Sequence, residues 1–187
     1  GEHLSEAPVI APFEGASISS VAVLPYALGS KHGLGWLTER RQNAGDTTVH
    51  AQDKAPSCQN SSLLCHEEAV SIVPLDSLLP HRHNSIGLLK IDVQGAELEV
   101  LLGAEMLFRQ HAIRAVVFEW RPEAAAARGQ SPTHPLWFLH SMAYTLMAPL
   151  AWFKPDERHQ THWVSVHPSD SRLLDQKGDI LAVAGGP

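Results

Sequence analysis

Residues 86–120 read IGLLKIDVQGAELEVLLGAEMLFRQHAIRAVVFEW, and the fold turns on them. Ile86–Val93 is a mainly apolar run, too continuous for a strand with one wet face, which predicts a central strand buried on both sides. Gly95 follows at once, and a helical pattern occupies about 95–111. Its broad apolar face is Leu98, Leu101, Leu102 and Phe108, helped by Ala104 and Leu107. Glu105 and Arg109 are spaced for an exposed i,i+4 pair. Gly103 inside this helix costs about 1 kcal/mol against alanine, so a close packing contact is expected there. Ala112–Trp120 then reads as a second strand. Strand, helix, strand in that length predicts a parallel crossover.

Working outward, Ala69–Val73 reads as a strand, Pro74-Leu75-Asp76 leads to a short helical turn at Ser77-Leu78-Leu79, and 81–85 (HRHNS) forms a polar bridge. Val21–Ser30 reads as a short strand running into a glycine turn. Residues 30–62 are polar, with weak strand candidates at Gly35–Thr38 and Thr47–Ala51. Beyond the quoted stretch, a loop with a short helical piece covers 121–135 and a helix 135–142. Late strands are read at Ala143–Met147 and Gly178–Ala184, joined by a long connection. Residues 1–20 form an irregular lead-in to a domain at 21–187. The expected architecture is α/β: a three-layer, doubly wound, mostly parallel sheet. Only one strand-helix-strand unit is clear, and the first eighty residues lack the usual opening units.

Composition narrows the functions. Lys plus Arg is 14 against 20 Asp plus Glu, for a formal net charge of -6, which offers no broad basic surface for nucleic acid or anionic lipid. No apolar run reaches membrane-span length. The start carries neither Met nor a basic-then-apolar signal, as expected of a processed product or a fragment. Cys58 and Cys65 read as free thiols in a cytoplasmic setting.

In such a sheet, ligands gather beyond the carboxyl ends of the strands. Asp92 and Glu119 lie near two such ends, and Asp76 at a comparable exit. Asp92 can face a ligand or cap the next helix. Lys90 points to the same side as Asp92, as a structural ion pair or as part of a polar pocket. Ile91 and Val93 take the core side. Glu97 suits the positive end of the helix, whether structural or in a site. Gln94 supplies a neutral hydrogen-bonding group before Gly95, a position suited to a tight turn. The histidines match no familiar zinc spacing, and Cys58, Cys65, His50 and His66 are not diagnostic of a site. G-x-S-x-G, G-x-G-x-x-G and the phosphate-loop motif are missing.

LDSLL at 75–79, LLKIDVQGAELEVLLGA at 88–104 and AVVFEW at 115–120 together resemble the carboxyl-proximal part of the FkbM-type methyltransferases. The likeness touches most of 21–184 and is most specific over about 70–120. It implies a Rossmann-like class I fold, here amino-terminally truncated or incomplete, and S-adenosylmethionine as cofactor. It further implies methylation of a hydroxyl oxygen on a small molecule or sugar. Asp76, Lys90, Asp92, Gly95, Glu97 and Glu119 fall on the family's pattern. By the resemblance, Asp76, Lys90, Asp92, Gln94, Gly95 and Glu97 border the cofactor, while Asp92 and Glu119 are the catalytic candidates, with no metal.

Two departures stand out. The family usually carries an acid where this chain has Gln94, and its cofactor glycine loop has no counterpart ahead of residue 21. A non-catalytic binding or interaction module is therefore the alternative. Without the early units the 86–93 strand would lack a neighbour, so either poor solubility or a replacement strand from residues 8–51 is expected.

Overall fold

The computed structural model describes residues 22–40, 43–51, 63–79, 85–154 and 162–185. The lead-in at 1–20, Cys58 and the histidines at 81, 83 and 159 lie outside them. The described strands form two sheets. One has the order β1-β4-β2-β3, from β1 (Tyr26–Leu28), β2 (Gly33–Arg40), β3 (Asn43–Ala51) and β4 (Leu63–Val73). The other has the order β5-β6-β9-β7-β8, from β5 (Leu89–Ile91), β6 (Ala115–Trp120), β7 (Tyr144–Pro149), β8 (Trp163–Val166) and β9 (Gly178–Ala184). The helices are α1 (Leu75–Leu78), α2 (Glu97–Leu102), α3 (Glu105–Arg109), α4 (Pro122–Ala127) and α5 (His134–Ser141). None of them is long and apolar enough to cross a membrane.

The crossover at 86–120 forms as the sequence predicts: β5 and β6 are parallel, with Lys90 opposite Val117, and α2 and α3 lie between them. The three-layer, mostly parallel sheet does not form; the sheets are mixed and mostly antiparallel. β9 inserts between β6 and β7 and runs against both, and β8 runs against β7. Among the described residues no α-helix lies between β7 and β8 or between β8 and β9, so none supplies the helical crossover that parallel neighbours need. Burial gives the second reason. Along β6 it alternates, with Val116, Phe118 and Trp120 buried and Ala115, Val117 and Glu119 only partly so. That is the mark of a sheet with one dry face.

Two local expectations are corrected by the same geometry. The 86–93 run is not a central strand: β5 is three residues long, sits at the end of its sheet, and leaves Leu88 exposed. The described part of 8–51 supplies no strand beside it, since β1, β2 and β3 join the other sheet. The helix expected over 95–111 is broken into α2 and α3 at Gly103. There the close contact is real: a Cβ on Gly103 would lie 2.0 Å from the carbonyl oxygen of Gly29. Gly29 in turn donates its amide to Val73 at 3.1 Å, so this crossing ties the end of β4 and the turn after β1 to the break.

The core lies on the dry face of the five-stranded sheet. Leu101, Ala104, Leu107 and Phe108 from the α2–α3 unit pack with Phe118, Leu136, Leu139, Tyr144, Leu146 and Ile180. Leu102, placed on the apolar face by its spacing, is exposed instead, and Val100 is buried. Phe108 meets Phe138 and Tyr144 edge-on, with centroids 5.4 and 5.3 Å away. Two polar tips buried in this core are paired: the Tyr144 hydroxyl donates to the Ile113 carbonyl, and Trp120 Nε1 donates to Leu173 at 2.7 Å. Burial pushes the Tyr144 phenol up to about 12. The Glu105–Arg109 pair forms as spaced, with Nε 2.9 Å from Oε1.

Candidate functional site

Beyond β5 the chain turns sharply. Gln94 and Gly95 both adopt positive φ, 53° and 94°. A Cβ on Gly95 would lie 2.6 Å from the carbonyl carbon of Ala124, so only glycine lets this turn rest on α4. The Gly95 amide donates to Glu97 Oε1 at 3.0 Å, which closes the turn against the start of α2. Glu97 is buried, and burial is the largest force raising its carboxyl above the usual range. The amides of Gly95 and of Glu97 itself pull it back, nearby Glu119 raises it further, and Arg128 lowers it.

This turn gathers most of the residues singled out from sequence. Gln94 Nε2 donates to Asp92 Oδ1 at 2.9 Å and to Glu119 Oε2 at 2.7 Å, which puts the two strand-end acids on one rim. Lys90 lies beside Asp92 at 3.9 Å and closer to Asp179, at 3.3 Å. Asp76 is elsewhere. Its carboxylate accepts from the amides of Met106 at 2.8 Å and Leu107 at 3.1 Å, capping α3 from a distance.

Four members of the rim were not read from sequence. Asp179 stands opposite Glu119 in the β6–β9 ladder. Arg121 donates to Gln94 Oε1, and Glu123 holds Lys177 at 2.8 Å. Arg121 follows the Glu119 strand end directly, a cue the sequence did offer. For Asp179 there was none, because its place depends on β9 entering beside β6.

A cleft of about 1540 Å3 opens between the two sheets. Leu37, Val49 and Ile72 line one wall, and Ile91, Val93 and Val100 the other, with Asp92 at the edge. Across it Ser30 Oγ donates to Glu99 Oε2 at 2.5 Å, and on Glu99's own side Gln130 Nε2 donates to Glu99 Oε1 at 3.2 Å. Arg128 reaches over to the Val49 carbonyl at 3.1 Å. His50 Nε2 lies 2.8 Å from Thr38 Oγ1, and burial, then the charge of Arg128, lowers its pKa. No group of three or more His, Cys, Asp or Glu suited to a metal ion occurs among the described residues.

Residues 19–146 match the model of the methyltransferase FkbM domain, a span that holds the Lys90–Glu97 turn and Glu119 and ends within β7. No curated protein and no solved structure matches the chain. By that match, which covers most of its length, the chain belongs to the FkbM family of S-adenosylmethionine-dependent methyltransferases.

Proposed function

We propose that the chain transfers a methyl group from S-adenosylmethionine to a hydroxyl oxygen on a small molecule or sugar, with the acceptor at the Asp92–Glu119 rim. The observation that carries the reading is the convergence of these two carboxylates, through Gln94, at the edge of a cleft.

The donor set fits the cofactor. Ligand pockets usually run to ~300–1,000 Å3, so a cleft of about 1540 Å3 leaves room for a cofactor and an acceptor together. Its apolar walls suit a flat ring, Glu99 and Asp92 accept from hydroxyl and ammonium groups, and Lys31 and Arg128 complement a carboxylate. Lys90, Gln94, Gly95 and Glu97 shape the turn nearest these groups. Bound there, S-adenosylmethionine supplies an electrophilic methyl group on its sulfonium.

The chain's own residues then have definite tasks. Asp92, half exposed at the rim, receives the acceptor hydroxyl as a hydrogen-bond donor and takes its proton as the oxygen is methylated. Glu119 fixes a second hydroxyl of the acceptor and so its orientation. The apolar walls keep competing water from the reacting oxygen.

Calorimetry with S-adenosylmethionine on the wild type, Asp92→Asn and Glu119→Gln, paired with methyl transfer to a panel of hydroxylated acceptors, tests this. Saturable binding is expected in all three, with turnover of Asp92→Asn reduced by about 100-fold or more. A folded sample that binds no cofactor would overturn the reading in favour of a non-catalytic interaction module.

A further inference from the structure

Gln94 sits where two negative charges meet. One N–H of its amide points at Asp92 Oδ1, 2.9 Å away, and the other at Glu119 Oε2, 2.7 Å away. Its carbonyl oxygen accepts from the Arg121 guanidinium. Turning the amide over would set its oxygen against two carboxylates and its nitrogen against a cation, so charge alone fixes its direction. The backbone holds Gln94 at a φ of 53°, a conformation that residues other than glycine seldom adopt.

Two carboxylates brought this close repel one another unless something positive or proton-donating stands between them. Lys90 does not fill that place: its contact with Asp92 is long, at 3.9 Å, and it lies nearer Asp179, at 3.3 Å. We propose that Gln94 is a positioning residue that does the work of a cation: its amide draws Asp92 and Glu119 into one receptor, and Arg121 orients the amide. The second oxygen of Glu119, and that of Asp92 with Lys90 at 3.9 Å beside it, then face a hydroxyl or ammonium of the ligand. The assignment rests on this geometry whatever the cleft binds, and so stands or falls apart from the methyl-transfer reading.

The sharp consequence concerns Gln94→Glu, which keeps the shape and changes the charge. Arg121 still anchors one oxygen of the new side chain, while the other meets Asp92 and Glu119. Three converging carboxylates are the ligand set of a divalent-cation site, which the described residues of the native chain do not contain. The test titrates Mn2+ into wild type, Gln94→Glu, and Gln94→Glu combined with Asp92→Asn, followed by electron paramagnetic resonance and thermal melting. Gln94→Glu is expected to bind Mn2+ about tenfold tighter than wild type or better. Mn2+ should raise its melting temperature, and the added Asp92→Asn should remove both gains. A variant that unfolds alone and is recovered by Mn2+ would support the proposal equally. A variant that binds Mn2+ no tighter than wild type, or whose unfolding Mn2+ does not reverse, would overturn it.

Discussion

The two sheets that face each other across the cleft are built to different standards. The core cluster takes its fully covered members from residues 91–182, including Phe108, Phe118, Leu136 and Ile180, all from the five-stranded sheet and its helices. Among the described residues the four-stranded sheet enters that cluster only at its margin, through Leu28. Its cleft wall is a row of half-buried Leu37, Val49 and Ile72. The rim carboxylates therefore stand on the well-packed wall. The facing wall, with fewer buried apolar contacts, is the one free to adapt to a ligand.

The joint between the two halves is where that contrast can be broken most severely. Gly103→Ala drives a Cβ to 2.0 Å from the Gly29 carbonyl oxygen and 3.2 Å from Pro74 Cα, backbone that has nowhere to go. A loss of about 5 kcal/mol is expected in urea melts. Gly33→Ala, with nothing within 4 Å, should change stability by less than about 0.5 kcal/mol. Next in size, Phe108→Ala removes a fully buried ring and should cost about 4 kcal/mol. Val49→Ala on the opposite wall should cost about 1 kcal/mol or less. Equal losses from the two would abolish the distinction between the walls.

Asp76→Ala should cost about 1–2 kcal/mol, the usual worth of a helix cap. Because its carboxylate is spent on Met106 and Leu107, cofactor affinity by calorimetry should stay within about twofold. A large loss of affinity at unchanged stability would show instead that Asp76 borders the cofactor.

The subtlest contrast is in pH. Glu97 on the packed wall has a raised pKa, so the folded state holds its proton longer than the unfolded one does. Stability then falls as pH climbs from the ordinary value of 4.5 through the raised one. His50 on the other wall has a lowered pKa, so its contribution rises with pH toward 6.5 and is flat above that. In chemical melts across pH, Glu97→Gln should remove the fall and His50→Gln the rise. A wild-type curve unaffected by either change would refute both assignments.

Much of the site was legible because it is local. Lys90 to Glu97 is one strand end, one turn and the start of one helix, and its residues are brought together by φ angles that Gly95 makes possible. Glu119 joins them because a strand-helix-strand unit returns its second strand beside the first. The weak strand candidates at Gly35–Thr38 and Thr47–Ala51 were real, as parts of β2 and β3. β8 went unread in a stretch of polar and irregular residues, since four residues at a sheet edge leave little periodic trace. The 86–93 run was misread because apolar content suggests burial, whereas at the end of this sheet only Ile91 of the run is buried and Leu88 is exposed.

Chain order alone settled the short-range matters: that strand, helix and strand follow one another over 86–120, which turn needs a glycine, and which carboxylates leave adjacent strand ends. These depend on backbone sterics and on side chains a few residues apart. Packing settled the rest. That β9 runs antiparallel between β6 and β7, that Asp76 is consumed by α3, and that Gln94 bridges two acids under Arg121 are results of segments meeting from 25 to 68 residues away. Such meetings are decided by which arrangement buries the apolar faces and pairs the charges, a balance struck over the whole chain at once.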